Sequence, residues 1–368
     1  MPRSEHIRKV RRIVVKIGTS VITERGLIAP SRLSKLVREM VSIIQRGYEI
    51  VIVSSGAISA GSALVKRKCN LLTIPDKQAL ASVGQIALMN EYRKYFMRAG
   101  LEVGQILLTE DDVNHRRRYL NARNTFNSLL KLGIVPIVNE NDSVVVKEIK
   151  FGDNDTLSAH VANITEADLL ILLSDVDGFY WDLADGEPVD EIQEITEDVI
   201  MRAGGAGSDY GTGGMVTKIR AAEIIIRSGE MMIIANGQKR GILKRILNGE
   251  QVGTLFYGKK SLSSRKRWIA FSQKTKGSII LDDGAVDALC NRKKSLLASG
   301  ITGVNGSFDL GDAVEMRDTQ GRVLGKGIVN YTDGELQRIM GKRTGEIKKI
   351  LGSNYFDEVI NRDDLILY

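Results

Sequence analysis

The sequence is poor in the residues on which several enzyme classes depend. Its 368 residues include only three histidines and two cysteines. The cysteines, Cys69 and Cys290, are far apart and lack the spacing of metal ligands, so we expect a reducing compartment and no structural metal. None of the histidines has a sequence context typical of a nucleophile's general base, which disfavours hydrolysis by a Ser–His or Cys–His pair.

Long apolar runs and the common nucleotide-binding loops are also missing. No apolar run approaches the roughly 20 residues of a membrane-spanning helix, and the arginine-rich start is not followed by the apolar segment of a secretory signal. We therefore expect a cytoplasmic protein without a membrane partner. The sequence contains neither G-x-x-x-x-G-K-[S/T] nor G-x-G-x-x-G after a strand, which excludes a P-loop and a Rossmann dinucleotide site.

The composition that remains is typical of a folded protein with more than one core. Hydrophobic residues make up 43% and charged residues 26% of a chain that is too long for one ordinary domain. The composition becomes polar and basic after Gly258, so we predict domains at 1–258 and 276–368, joined by a basic linker at 259–275. Residues from 259 onward carry +5 of the net +7, which supports an RNA-facing surface only weakly.

Apolar strand-like runs alternate with helical patterns through the first domain. This alternation predicts an α/β fold: a three-layer sandwich with a mainly parallel sheet. The strands are predicted at 13–17, 49–53, 103–108, 134–138, 168–173, 231–234 and 253–256. The helices are predicted at 33–44, 76–98 and 125–131, with one more that opens in the glycine-rich segment 211–218 and continues to Ser228. Leu80, Val83, Ile86, Ala87 and Leu88 are among the apolar positions of the second.

Two other parts of the chain differ from this alternation. The charge-dense segment 111–118 is predicted to be a solvated loop. After residue 275, short strands at 277–281, 314–316 and 327–331 between Gly and Asp turns predict a small, mainly β domain.

Residues 139–155 contain two clusters of carboxylates and amides, Asn-Glu-Asn-Asp at 139–142 and Asp-Asn-Asp at 153–155. These residue types compete for nearby backbone groups and disfavour regular structure, so we expect loops at the carboxyl ends of strands. Each cluster alone fits a solvated turn. Two in close succession favour a binding site.

Lysines and small residues follow other strands of the predicted sheet. Lys16 precedes Gly-Thr-Ser, a setting suited to phosphate oxygens, although alone it also fits an edge lysine whose ammonium reaches solvent. The strand at 49–53 ends in Ser54, Ser55 and Gly56, where a ligand can approach the backbone. The Asp175-x-Asp177-Gly turn fits a nucleotide contact and a simple β-turn equally well.

A glycine-rich segment, 204–207 and then 211–218, opens a helix with Lys218 on its first turn. The backbone N–H groups and the dipole at the start of this helix favour an anion-binding site over the alternative interpretation, a flexible linker. Two lysines, glycine-rich donors and a central set of carboxylates together predict phosphoryl transfer, which needs positioning and neutralised charge more than a covalent nucleophile. We expect Mg²⁺ to be carried by the nucleotide and no metal site made by the protein alone.

The ordered set of motifs resembles the glutamate 5-kinases of the amino acid kinase family. The motifs are Val-Lys-Ile-Gly-Thr-Ser at 15–20, Val-Ser-Ser-Gly-Ala-Ile at 53–58, Val-Asn-Glu-Asn-Asp at 138–142, Gly-Asp-Asn-Asp at 152–155, Gly-Thr-Gly-Gly-Met-Val-Thr-Lys at 211–218 and Ser-Arg-Lys-Arg-Trp-Ile at 264–269. The C-terminal segment is similar to a PUA domain. Ser174 and Ser54 stand where the family more often has Thr, and both changes keep the hydroxyl.

The resemblance implies a role for each matched position. Lys16 and Lys218 would flank the transferring phosphoryl group, and Asp155 would orient both. The residues implied to hold glutamate are Ser55, Asp142 and Asn154, with Asp153 near its α-amino group. The residues implied to contact ATP are Lys16, Ser174, Asp175, Thr212, Gly213, Gly214, Met215, Val216, Thr217 and Lys218.

The resemblance also implies substrates, an inhibitor and an assembly. L-glutamate and ATP would give L-glutamyl 5-phosphate, the first step of proline biosynthesis, with proline as feedback inhibitor and a dimer or tetramer as the assembly. Kinases of acetylglutamate, carbamate, aspartate or a nucleoside monophosphate share the phosphate machinery and remain alternatives, while the two polar clusters favour a free α-amino group. An RNA-binding protein is an alternative of another class, because PUA domains occur in RNA-modifying enzymes.

Overall fold

The computed structural model describes residues 3–66, 73–144, 154–182, 186–204, 214–258, 275–352 and 356–368. The chain divides into two units, Met1–Ser261 and Leu262–Tyr368. Each unit contains its own cluster of buried apolar side chains. No helix in the described ranges combines the length and the apolar character needed to cross a membrane.

The first unit alternates strands and helices along most of its length. Its described strands are β1 (Arg12–Ile17), β2 (Thr23–Glu24), β3 (Leu27–Ile28), β4 (Glu49–Ser54), β5 (Val103–Leu108), β6 (Val135–Glu140), β7 (Leu169–Ser174), β8 (Glu191–Ile192), β9 (Met231–Asn236) and β10 (Thr254–Tyr257). Its described helices are α1 (Arg3–Arg8), α2 (Thr19–Ile22), α3 (Pro30–Ile44), α4 (Ala57–Val65), α5 (Ile74–Met97), α6 (Glu110–Asn114), α7 (Arg116–Lys131), α8 (Asn154–Thr165), α9 (Glu197–Ala203), α10 (Met215–Ser228) and α11 (Ile242–Leu247).

Eight of these strands form one sheet in the order β5-β6-β4-β1-β7-β9-β10-β8. The six from β5 to β9 are parallel, and β10 then pairs antiparallel with β9 and parallel with β8. The predicted α/β fold with a mainly parallel sheet is confirmed. Because the six strands run in one direction, their carboxyl ends meet at one edge of the sheet.

The two faces of β1 have different roles. Val15 and Ile17 belong to the large apolar cluster that α3 and α5 cover. Side chains alternate along a strand, so Lys16 lies on the opposite face, toward α8. The register pairs Lys16 with Val53 on one side and Leu172 on the other, which places this lysine in the middle of the sheet.

The charge-dense segment that we predicted to be a loop is helical. It forms α6 and the first turn of α7. The Thr109 side chain accepts from the Asp112 N–H while the Asp112 carboxylate accepts from the Thr109 N–H, a capping box that stabilises the start of α6. Three acidic residues in the first turn of α6 also stabilise the helix, because their negative charges lie at the positive end of the helix dipole.

Helix α5 buries only part of the apolar set that we predicted. Leu80 and Leu88 are buried as expected. Val83 and Ile86 are 42% and 66% exposed, and Gly84 and Gln85 face the interior instead. A small residue and an amide therefore occupy the buried stripe. The apolar side chains at 83 and 86 were therefore wrongly included in the buried face that the periodicity predicted.

The second unit is small and mainly β. It contains β11 (Thr275–Leu281), α12 (Asp283–Cys290), β12 (Ile301–Gly306), β13 (Ala313–Arg317), β14 (Val323–Ile328), α13 (Asp333–Ile339), α14 (Thr344–Leu351) and β15 (Leu365–Leu367). The five strands form one sheet in the order β12-β11-β13-β14-β15. The predicted mainly β domain is confirmed, although the strand expected at 327–331 ends at Ile328 and begins earlier, at Val323.

Candidate active site

The segments that follow the central parallel strands begin side by side. The Gly18 N–H donates to the Leu173 carbonyl at 2.9 Å, and the Ser55 N–H donates to the Ile17 carbonyl at 3.1 Å. On the far side of β7, the Gly237 N–H donates to Ser174 at 2.8 Å. These bonds bring the predicted phosphate and substrate segments to one edge of the sheet.

Lys16, Asp155 and Lys218 form an ion triad at this edge. The Lys16 Nζ lies 2.5 Å from Asp155 Oδ1, and the Lys218 Nζ lies 3.1 Å from Oδ2. The Thr217 hydroxyl also donates to Oδ2, at 2.8 Å. One carboxylate therefore joins a strand, the start of α8 and the first turn of α10.

The triad is almost completely removed from solvent. Asp155 is 0% exposed, and the two lysines are 7% and 5% exposed. Burial raises the pKa of Asp155, but the two ammonium charges and the Thr217 hydroxyl outweigh it, so the pKa lies below its usual value. The carboxylate is ionised at neutral pH, and the triad carries a net charge of about +1, which attracts an anion.

The backbone beside the triad leaves room for such an anion. A Cβ added at Gly18 would lie 3.1 Å from the Leu173 carbonyl oxygen and 3.8 Å from the Lys16 Nζ. The N-cap of α10 is Gly214, which makes no side-chain cap, and Met215 and Val216 are half-buried. The first N–H groups of a helix have no intrahelical partner and can bind phosphate oxygens.

A chain of side-chain amides lies next to the triad. Asn154 Nδ2 donates to Ser55 Oγ at 2.7 Å and to Asn139 Oδ1 at 3.1 Å. Asn139 Nδ2 in turn donates to Gln85 Oε1 at 2.9 Å. The structure thus bonds two predicted substrate residues, Ser55 and Asn154, directly to each other. It also links Asn154 through Asn139 to Gln85, a residue that the sequence did not single out.

Asp142 lies at a neighbouring cavity of about 190 Å³. Gln85, Glu140 and Asp142 line this cavity, together with hydroxyls of Ser82 and Ser143. Carboxylates can accept from an ammonium group, while amides and hydroxyls can donate to a carboxylate. The cavity has the chemistry to hold the zwitterionic end of an amino acid.

The prediction that both polar clusters lie on loops was wrong for residues 139–140 and 154–155, while residues 141–142 lie in a turn as predicted. Asn139 and Glu140 are the last residues of β6 and pair with β5, and the Asn139 side-chain Oδ1 accepts from the Glu140 backbone N–H at 2.9 Å. Asn154 and Asp155 form the first turn of α8. The backbone groups of these residues form the hydrogen bonds of a strand or of a helix start. Regular structure therefore fixes the positions of their side chains. Asp153, Thr212 and Gly213 lie outside the described residues.

The residues that we predicted to contact the nucleotide lie at the end of β7. Ser174 is buried, and Asp175 is exposed. Asp177 accepts from Asn236 Nδ2 at 3.0 Å and pairs with Lys239 at 3.0 Å. Burial raises the pKa of Asp177, but the Lys239 and Asn236 hydrogen bonds hold it below its usual value. These bonds favour the interpretation of Asp177 as a structural turn residue.

A mainly parallel sheet with two lysines ion-paired to one carboxylate, beside the start of a helix, defines an enzyme of the small-molecule kinase class. Residues 11–236 match the amino acid kinase family, and residues 277–351 match the PUA domain. The solved structure of Giardia carbamate kinase covers 68% of this chain and 100% of its own, with a TM-score of 0.51 and 16% identity, which supports the fold alone.

Relatives match almost the whole chain. A protein of Thermoanaerobacter sp. (strain X514) named glutamate 5-kinase is 47% identical over 366 residues, covering 97% of each chain. Proteins of the same name from Carboxydothermus hydrogenoformans and Syntrophotalea carbinolica are 47% and 45% identical and cover 99% of each chain. The chain belongs to the amino acid kinase family, in its glutamate 5-kinase branch with a C-terminal PUA domain.

Proposed function

We propose that this enzyme transfers the γ-phosphoryl group of ATP to the γ-carboxylate of L-glutamate, giving L-glutamyl 5-phosphate, the first step of proline biosynthesis. The observation that carries the proposal is the buried Lys16–Asp155–Lys218 triad at the carboxyl edge of the sheet. The name shared by the full-length relatives supports glutamate as the acceptor.

The triad supplies the electrostatic part of the reaction. Negative charge spreads over the oxygens of the transferring phosphoryl group, and fixed ammonium groups stabilise it without reorganising. Asp155 holds one lysine on each oxygen, which keeps both cations at one place despite their mutual repulsion. An ammonium has three N–H donors, so the bond from Lys16 to Asp155 leaves donors for phosphate oxygens.

The acceptor needs no general base. A glutamate side chain has an ordinary pKa of about 4.3, so its γ-carboxylate is already ionised at neutral pH. In this proposal Ser55, Asn154 and Asp142 bind the amino acid, with Asp153 near its ammonium group. The site then acts by positioning the weak carboxylate nucleophile against the phosphoryl group.

The start of α10 and the end of β7 would bind the nucleotide. Gly214, Met215 and Val216 would offer backbone donors to its phosphates, with Thr212 and Gly213 preceding them and Thr217 following. Ser174 and Asp175 would contact the rest of ATP.

We propose Mg²⁺ as the cation that the ATP phosphates carry. No group of three or more His, Cys, Asp or Glu side chains in the described part of the chain is arranged to hold a metal. Mg²⁺ commonly binds substrate phosphates and keeps several waters, so it fits this site as part of the nucleotide complex.

Inhibition by proline, a homodimeric or homotetrameric assembly and a cytoplasmic location stay predictions. RNA binding by the C-terminal unit is the weaker alternative, because its excess of positive charge is small. Salt-sensitive RNA binding at low micromolar strength would favour that alternative.

A hydroxamate assay tests the substrate assignment. The purified enzyme is incubated with MgATP, hydroxylamine and one acceptor at a time: glutamate, N-acetylglutamate, aspartate or carbamate. In a parallel assay, the formation of a nucleoside diphosphate from a nucleoside monophosphate is measured. We expect glutamate-dependent product only. Turnover with another acceptor and none with glutamate would overturn the assignment while leaving the kinase class intact.

A further inference from the structure

We propose that Gln85 is a positioning residue for the amino acid substrate, because it orients the amides of Asn139 and Asn154. The inference rests on the proposed function, in which Asn154 contacts glutamate. Gln85 is not a catalytic residue in this proposal: it acts through two other side chains.

The direction of each amide follows from its neighbour. The Glu140 backbone N–H is only a donor, so the atom of Asn139 that faces it, at 2.9 Å, is the carbonyl Oδ1. The Asn139 Nδ2 therefore points the other way, where it donates to Gln85 Oε1 at 2.9 Å. Gln85 supplies the acceptor that this buried NH₂ group requires.

The same logic extends to Asn154. Because Asn139 Oδ1 is an acceptor, the group of Asn154 that faces it must be its NH₂, which also donates to Ser55 Oγ. The Asn154 carbonyl Oδ1 then lies on the other side of its amide. It has no hydrogen-bond donor among the described residues, so it can accept from a substrate ammonium group.

Close helix packing brings Gln85 to this place. A Cβ added at Gly84 would overlap the Ala57 carbonyl oxygen, and one added at Gly61 would overlap the Leu80 carbonyl oxygen. Helices α4 and α5 therefore approach each other without side chains between them. Gln85 is 9% exposed, and its Nε2 is buried without a hydrogen-bond partner in the described part of the protein. Among the described residues, only the side-chain carbonyl of this buried amide has a hydrogen-bond partner.

The test compares Gln85→Met with Gln45→Met in the full-length enzyme. Gln45 is exposed at the end of α3, away from the cavity, and has no described bond to the amide chain, so it is the matched control. We expect Gln85→Met to raise the KM for glutamate about 10- to 100-fold, the effect of losing the hydrogen bond from the charged substrate ammonium group to Asn154, with kcat and the KM for ATP changed little. Gln45→Met should leave all three constants near those of the unmodified enzyme.

Two further measurements separate positioning from a loss of folding. Glutarate lacks the α-amino group, so Gln85→Met should reduce the preference for glutamate over glutarate, whereas a purely structural defect would leave that preference unchanged. In a double-mutant cycle with Asn139→Ala, the effects on the KM for glutamate should be far from additive. Additive effects, or equal changes in both KM values, would overturn the role of Gln85. Absence of glutamate turnover in the unmodified enzyme would instead overturn the proposed function.

Discussion

Asp155 is bonded through both of its oxygens, and each oxygen receives a different lysine. A buried carboxylate is costly alone, but here two cations and a hydroxyl compensate for the lost water. Removing the negative charge would leave two buried ammonium groups facing each other. The same carboxylate is therefore expected to support both catalysis and folding.

Asp155→Asn tests the folding part of this expectation. At neutral pH we expect a loss of about 3–5 kcal/mol in the free energy of unfolding, because an uncompensated buried charge remains. The folded pKa of Asp155 is lowered, so its stabilising effect is complete above the ordinary value of about 3.9 and is lost as the pH falls through the folded value.

Urea unfolding from pH 7 to pH 3 measures this effect. The stability difference between Asp155→Asn and the unmodified enzyme should shrink at the acidic end of the range. The exposed Asp175→Asn is the control and should change stability by less than about 0.5 kcal/mol. A stability difference for Asp155→Asn that does not vary with pH would contradict the ion triad as its cause.

Lys218→Ala tests the catalytic part. We expect kcat to fall about 100- to 1,000-fold, as when one donor to a developing negative charge is removed, with a much smaller change in the KM for glutamate. Steady-state kinetics measure both constants. Arg220→Ala, an exposed change on the same helix, should leave them nearly unchanged. An effect confined to the KM would argue against the role of Lys218 at the phosphoryl group.

Single residues differ in how well their positions could be predicted from the sequence. Lys16 and Lys218 adjoin small, glycine-containing segments at element ends, so their context alone suggested a phosphate site. Gln85 lies within a helix and adjoins no motif. Its only signal is spacing, since an amide occurs in the stripe formed by Ala81, Leu88 and Tyr92, but Val83 and Ile86 predicted another face.

At the scale of elements, the contact between α4 and α5 helps to position the residues that we propose to bind the substrate. Helix α4 begins two residues after Ser55, and α5 carries Gln85. Parallel strands could be predicted because runs such as 168–173 are apolar throughout. Helix α6 was missed because its acidic residues looked like a solvated loop, although the spacing of Thr109 and Asp112 is itself a helix-start signal.

Gly84→Ala tests the helix contact. The added methyl group overlaps backbone rather than a mobile side chain, so the helices must separate. We expect a loss of about 1–3 kcal/mol in the free energy of unfolding and a raised KM for glutamate. Urea unfolding and kinetics measure the two effects, with the exposed Asn90→Ala on the same helix as control. A stable variant with unchanged kinetics would show that the close approach does not position Gln85.

At the scale of the whole molecule, every described residue of the proposed site lies in the first unit. The two units have separate apolar clusters, which is typical of parts that fold on their own. The composition change after Gly258 indicated a second domain, but no sequence pattern reveals what that domain contributes.

A chain ending at residue 258 tests that contribution. It keeps β10, which ends at Tyr257, and all described residues of the proposed site. We expect the shortened enzyme to retain glutamate-dependent turnover within about an order of magnitude. Kinetics with and without proline, compared with the full-length enzyme, measure the effect. Complete loss of activity in a folded, shortened protein would show that the C-terminal unit completes the site.

The order of strands has a consequence for the growing chain on the ribosome. β1 is made first, yet it lies in the middle of the finished sheet, with β4 on one side and β7 on the other. Until β7 emerges, more than a hundred residues later, one side of β1 is an unprotected edge that other nascent chains can pair with. Lysines are typical of edges that avoid such pairing, so we expect Lys16 to protect the unfinished sheet before Asp155 and Lys218 are made.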